Sequence, residues 1–319
     1  MALPPPLAVR SLAGVRLDSL VRLARAHERA ITGTARCTDG DILLEIGHPA
    51  YDPLHNGWCV TRPQGDLVAW ATLTMRGGPS LDCTLTVLPE DGDGIARELL
   101  AHVLARADEL SREHGGCHET VLVGVLNGDP VVPGVLREAG FLRQITYNRC
   151  EMDLTRSALP DTLPEGGLLR QVDSSSDDVR ALHDIHTLAR TAGARELDYR
   201  TFHARLDQFG GDVAGRSAGV SLLLEIAGRP VGHVLAQAWK DRGRIVDMAV
   251  APAFRGRGVG LALIAAAVER LRELGCGHAL VALDSSRLRY QQALYEALAV
   301  TGEYAVTQYV RRPHGDARA

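Results

Sequence analysis

Apolar residues recur along the chain at two spacings, every second position and every third or fourth, and the spacings follow one another in the same order in both halves. In the second half, residues 222–226 and 232–239 read as strands, with a turn at Gly228 to Pro230 between them. Residues 244–250 follow as a third strand, and 260–274 as a helix with Leu261, Ile264, Ala265, Val268 and Leu271 on one face. In the first half, 67–75, 81–87 and 94–110 occupy the corresponding places. Each half therefore predicts a mixed α/β (α+β) unit: a short strand, one or two helices, a run of strands, a helix, a strand, a helix and a closing strand. Residues 154–167, LTRSALPDTLPEGG, lack apolar periodicity and read as a linker. The expected division is a domain at 1–153, the linker at 154–167, a second domain at 168–313 and a polar tail at 314–319. A length of 319 residues agrees with two domains of about 150.

The halves also match residue by residue, which points to a tandem duplication. Val87 and Pro89 correspond to Val250 and Pro252, and Gly94-Ile95-Ala96 to Gly260-Leu261-Ala262. They part where strand meets helix. Seven positions separate Val87 from Gly94, whereas ten separate Val250 from Gly260. The first loop, Pro89-Glu90-Asp91-Gly92-Asp93-Gly94, is acidic. The second, Phe254-Arg255-Gly256-Arg257-Gly258-Val259-Gly260, carries two arginines among three glycines.

Composition removes several classes of function. A net charge of −4 offers no general attraction to nucleic acid or anionic lipid. The six cysteines include no Cys-x-x-Cys pair, so reduced thiols are expected and neither a disulfide framework nor a zinc framework. No run of about 18 uncharged apolar residues occurs, and the N-terminus has no leader pattern, so a cytoplasmic protein is expected. Lys240 is the only lysine beside many arginines, alanines and glycines, a bias expected of a high-GC, actinobacterial genome.

A glycine-rich loop between a strand and a helix gathers backbone N–H groups and the positive end of the helix dipole at one point, which favours an anion. Arg255 and Arg257 add charge and donors there. Neither Gly-Lys-Ser/Thr nor G-x-G-x-x-G is present, which excludes the P-loop and dinucleotide fingerprints. The run from Val250 to Gly260, V-A-P-A-F-R-G-R-G-V-G, instead resembles the acyl-CoA pyrophosphate loop of GNAT acetyltransferases, R/Q-x-x-G-x-G/A preceded by Val-x-Pro. The resemblance covers nearly all of the second half and, more weakly, the first. It implies two tandem GNAT folds, each a twisted, mainly antiparallel sheet flanked by helices, with two central strands splayed around the pantetheine arm. Met248, Ala249 and Val250 would meet the pantetheine amides through their backbone. Arg255, Gly256, Arg257, Gly258, Val259, Gly260 and Leu261 would hold the pyrophosphate. The co-substrate implied is acetyl-CoA, with no metal.

Transfer of an acyl group to an amine needs an uncharged nucleophile, a donor to the oxyanion and an acid for the departing thiolate. Tyr295 stands where the family pattern L-Y-x-x-x-G-F places the tyrosine that protonates the sulfur of CoA, with Tyr290 in reserve. The Gly-Phe of that pattern is Ala299-Val300 here, and Leu288 stands near the place of a frequent asparagine. Asp247, eight positions before Arg255, is where some relatives set a carboxylate toward the acceptor amine; Glu225 and His233 on neighbouring strands are alternatives. No oxyanion donor is named by the sequence. The first half keeps Ala139-Gly140-Phe141 but has Leu136 in the tyrosine's place as well as the acidic loop, so it is expected not to catalyse. Tandem members such as mycothiol synthase, and acyltransferases of antibiotic gene clusters, share this plan.

The expectation is an N-acetyltransferase acting by direct attack in a ternary complex on a primary amine of a small metabolite, as a monomer or homodimer. The polar stretch with Arg195, Glu196, Asp198, Tyr199 and Arg200 lies in the region expected to meet the acceptor. Two alternatives stand beside it: transfer of a longer acyl group or O-acylation in secondary metabolism, and a non-catalytic acyl-CoA sensor.

Overall fold

The computed structural model describes residues 7–46, 51–75, 80–113, 120–160, 162–172, 176–189, 199–200, 202–203, 206, 217–284 and 297–312. The chain divides into two compact units, Met1–Thr146 with Tyr304–Ala319, and Tyr147–Glu303. Residues 147–153 and 304–311 thus sit with the opposite unit from the one that a cut at the linker assigns them. Each unit is a mixed α/β sheet flanked by helices, as the apolar spacings predict.

In the first unit the elements are β1 (Ala8–Ser11), α1 (Leu17–Thr32), α2 (Asp39–Ile46), β2 (Gly57–Thr61), β3 (Leu67–Met75), β4 (Ser80–Val87), α3 (Gly92–Glu113), β5 (Thr120–Leu126), α4 (Val132–Glu138) and the start of β6 (Leu142–Asp153). Strands β1 to β4 pair antiparallel in sequence order. Strands β4 and β5 pair in parallel, but only over Ser80–Cys83 and Thr120–Val123. The closing strand of the chain, β12 (Val300–Arg311), returns to pair antiparallel with β5 from Val306 to Arg311. Leu20, Leu73, Leu99, Leu136 and Phe141 lie in the core between this sheet and its helices.

The second unit begins with the latter part of β6 and continues through β7 (Gly167–Gln171), α5 (Ser176–Ala189), β8 (Ser217–Ile226), β9 (Arg229–Trp239), β10 (Arg242–Val250), α6 (Val259–Glu273) and β11 (His278–Asp284). Strands β7 to β10 form an antiparallel meander. Strand β11 pairs antiparallel with Tyr147–Asp153 of β6. Its parallel ladder with β10 runs only over Arg242–Arg244 and His278–Leu280. Beyond Arg244 the edge of β10 that faces β11 has no ladder partner among the described residues, so the two strands open a gap toward Val250.

The sheet of the second unit has a core on each face. Leu263, Ile264, Val268 and Leu271 of α6 pack on one with Val234, Ala236 and Ile245, and Leu182 and Ile185 of α5 pack on the other with Leu235 and Ala249. Helix α6 lies close because two strand positions carry no side chain. A Cβ at Gly243 would stand 2.6 Å from Leu271 Cδ1. One at Gly232 would stand 2.9 Å from Leu263 Cδ1, 3.0 Å from Val259 Cγ1 and 3.1 Å from the Ala249 carbonyl. No helix among the described residues is long and apolar enough to cross a membrane.

Candidate active site

The site is built at the open end of the β10–β11 gap. Met248, Ala249 and Val250 line β10 on its way into the loop, with Ala249 buried on the α5 face and Met248 and Val250 half-buried against the α6 core. Gly256 and Gly258 adopt φ of +73° and +82°, left-handed values that a side chain disfavours, with nothing within 4 Å of where a Cβ would stand. Gly258 caps α6 and no side chain among the described residues bonds to the cap, which leaves the N–H groups of the first helical turn, at Val259, Gly260 and Leu261, without an intrahelical acceptor. Arg255, Gly256, Arg257 and Gly258 are exposed. Arg257 lies over the Phe254 ring at 5.6 Å, while Arg255 Nη2 donates to the Ala189 carbonyl at the end of α5, at 2.6 Å. That bond ties the loop to α5, and nothing in the sequence pairs the two.

A bulge in β10 decides where its carboxylate points. Ile245 opposes Ala236 of β9 and Asp247 opposes Leu235, leaving Val246 as the extra residue. Ile245 packs in the α6 core, and an uninterrupted strand would put Asp247 on that same face. With Val246 inserted, Asp247 emerges on the opposite face with Leu235 and His233, under α5. There Asp247 Oδ2 accepts from His186 Nδ1 of α5 at 3.1 Å and from His233 Nε2 of β9 at 3.0 Å. The His233 side chain is fully buried, while those of His186 and Asp247 are 19% and 27% exposed. Burial pushes the Asp247 carboxyl up, but the two imidazole bonds and their charge outweigh it and hold the group well below the usual carboxylate range.

The sequence names Asp247 and His233 as separate candidates, and the bulge brings them into one cluster. It does not name His186. The signal was present in the spacing, since Val179, Leu182 and Ile185 form the buried stripe of α5 and His186 stands on that face four positions after Leu182. Phe202 packs against both imidazoles, with ring centroids at 5.3 Å from His186 and 6.4 Å from His233. Glu225 is elsewhere: it accepts from Arg170 Nε at 2.9 Å, and Arg170 is also forked onto Asp178, which clasps β7, β8 and α5. Tyr295, Tyr290, Leu288, Arg195, Glu196 and Asp198 lie outside the described residues. Tyr199 sits edge-on to His183 at 5.7 Å with Arg180 over its ring, and Arg200 is exposed.

Among its described residues the first unit has the corresponding short parallel ladder, with different groups around it. Its loop is closed by an ion pair, Arg62 Nη2 donating to both carboxylate oxygens of Asp91 at 2.9 Å. Thr84, three positions before Val87 as Asp247 is before Val250, donates to Glu45 of α2 together with Thr72, at 2.6 Å and 2.7 Å. Leu136 is fully buried in the core.

Residues 179–299 match the model of the acetyltransferase (GNAT) family. No curated protein matches the sequence significantly. Among solved structures, a GCN5-related N-acetyltransferase from Sphaerobacter thermophilus superposes with a TM-score of 0.77 at 18% identity, covering 98% of this chain and 97% of that one. A tandem GNAT protein from the clavulanic acid biosynthesis pathway does so at 0.64 and 19%, covering 96% and 98%. Saccharomyces cerevisiae N-myristoyltransferase with bound myristoyl-CoA has a TM-score of 0.53 at 13% identity, covering 97% and 83%. At these identities the likeness is one of fold, and it extends over both units.

Proposed function

Because the second unit carries an acetyltransferase domain of the GNAT family, in a chain with a tandem GNAT fold, we propose that it transfers the acetyl group of acetyl-CoA to a primary amine of a small metabolite. The observation that carries this reading is the gap between β10 and β11 running out onto a loop with left-handed Gly256 and Gly258 and two exposed arginines. In it the backbone of Met248, Ala249 and Val250 holds the pantetheine arm. The span from Arg255 to Leu261 holds the pyrophosphate, through backbone N–H groups and the two guanidinium groups.

The amine nitrogen attacks the thioester carbonyl directly, the C–S bond breaks and the thiolate takes a proton from Tyr295. Asp247 stays ionised and holds the acceptor's ammonium or draws its proton away through water. Acetyl-CoA is a co-substrate, and the transfer itself requires no metal. The setting is read as cytoplasmic, from a sequence whose six cysteines include no Cys-x-x-Cys pair.

The test is turnover of acetyl-CoA with a panel of small primary amines and alcohols, read as release of free CoA thiol and product mass. N-acetylated product supports the reading. Product only from alcohols or only with longer acyl-CoAs would replace it with the corresponding alternative, and acyl-CoA binding without turnover across the panel would make the protein a sensor.

A further inference from the structure

We propose that His186, His233 and Asp247 form a binding site for one divalent transition-metal ion, zinc by the chemistry of the donors. His186 Nδ1, His233 Nε2 and the Asp247 carboxylate all lie within 4.8 Å of one another. Two of the three separations are already 3.1 Å and 3.0 Å. A tetrahedral zinc ion with bonds of about 2.1 Å sets its ligands about 3.4 Å apart, so each imidazole withdraws from the carboxylate by about 0.3–0.4 Å, while the two imidazole nitrogens, within 4.8 Å of one another, close by up to about 1.4 Å. Two imidazoles and one carboxylate, with a fourth position left open, are the donor set of open zinc sites.

The charges argue the same way. A largely buried carboxylate requires a positive partner. Among the described residues, the hydrogen-bond partners of Asp247 are the two imidazoles, and a divalent ion between the three groups would supply that charge directly.

The donors also stand on three regular elements, α5, β9 and β10, and the bulge at Val246 is what aims the third. Partial exposure of His186 and Asp247 leaves a way in. The site goes beyond the proposed function. An ion here takes Asp247 from the acceptor amine, so occupancy and transfer exclude one another, but the binding does not depend on that reading.

The probe is Co2+ titrated into the metal-stripped, tag-free full chain. The expected result is one equivalent bound with the intense visible absorption of four-coordinate cobalt, bleached by Zn2+. His186→Ala and Asp247→Asn should each weaken binding at least about tenfold, while His183→Ala, one turn away on α5, should leave it unchanged. Should a variant fail to fold, X-ray absorption of the wild-type cobalt complex counts its imidazole ligands. Absence of the bands in the wild-type chain, wild-type affinity in either ligand variant, or an imidazole count other than two would overturn the site.

Discussion

Ala299 takes φ of +48°, in the left-handed region, where the family pattern has glycine and where the first unit has Gly140 at +82°. The turn has kept its shape while losing the residue that suits it. Leu298 before it is fully buried and the Ala299 carbonyl accepts from Asp153 N–H at 3.2 Å, so packing and a backbone bond hold the strained residue in place. Relieving a Cβ in this region is worth about 1–2 kcal/mol, less about 0.4–1 kcal/mol of entropy that glycine gains when unfolded. Ala299→Gly should therefore raise the unfolding free energy by about 0.5–1 kcal/mol, measured by urea denaturation; a loss of stability would mean the residue is not strained.

Asp129 gives a residue-scale prediction with a pH sign. Burial raises its carboxyl, but the bond to His27 Nε2 at 3.0 Å, the N–H groups of Val132 and Val131 and the His27 charge outweigh that and lower it. A carboxyl depressed in the folded state contributes stability that is present above its unfolded value, near pH 4, and is lost as pH falls through the folded value. The wild type should lose stability on that descent more steeply than Asp129→Asn, which starts lower because the cap and the imidazole lose their anion. Parallel slopes in urea melts from pH 6 downward would contradict this.

Among the elements, α6 and its loop were the most legible, because one apolar face and a glycine-rich start are both written in contiguous residues. Helix 260–274 from the periodicity is Val259–Glu273 in the structure. Strand β8 begins at Ser217, before the predicted 222, because Ala218, Gly219 and Ser221 carry no apolar alternation yet pair along β9 as far as Trp239. The bulge at Val246 left no trace in sequence at all, since a two-residue period cannot show which residue is the extra one. The same blindness hid His186, a single imidazole on an apolar stripe whose partners are 47 and 61 positions away.

Two element-level outcomes follow. Gly232→Ala drives a methyl into Leu263, Val259 and the Ala249 carbonyl together, and should cost about 1–3 kcal/mol in thermal or urea unfolding. Replacing Arg255 and Arg257 by Ala removes the loop's two guanidinium groups, each charge-assisted bond being worth about 1.5–3 kcal/mol. Acetyl-CoA affinity should fall at least about tenfold by calorimetry, and undiminished affinity would remove the loop from the proposed binding site.

For the whole molecule the question is which stretch of chain is sufficient for the proposed chemistry. Composition suggests a linker at 154–167, but composition marks only where the chain is irregular, and strand pairing decides which residues share a core. Strand β11 takes its antiparallel partner from Tyr147–Asp153, and the second unit as a compact body is the single stretch Tyr147–Glu303. The first unit is discontinuous, for β5 pairs with Val306–Arg311 at the far end of the sequence. A fragment of residues 147–303 should therefore fold and bind acetyl-CoA with one site. A fragment of 168–313, the cut that composition alone suggests, lacks the strand covering β11 and exposes buried Cys150 and Met152 contacts of the α6 core, so it should aggregate or bind far more weakly. The intact chain should also show one site, because in the first unit Asp91 already occupies Arg62 and an acidic loop replaces the arginines. Calorimetry on all three settles it: two sites in the intact chain would give the first unit a cofactor role, and equal binding by the two fragments would mean that Tyr147–Asp153 is dispensable to the fold of the second.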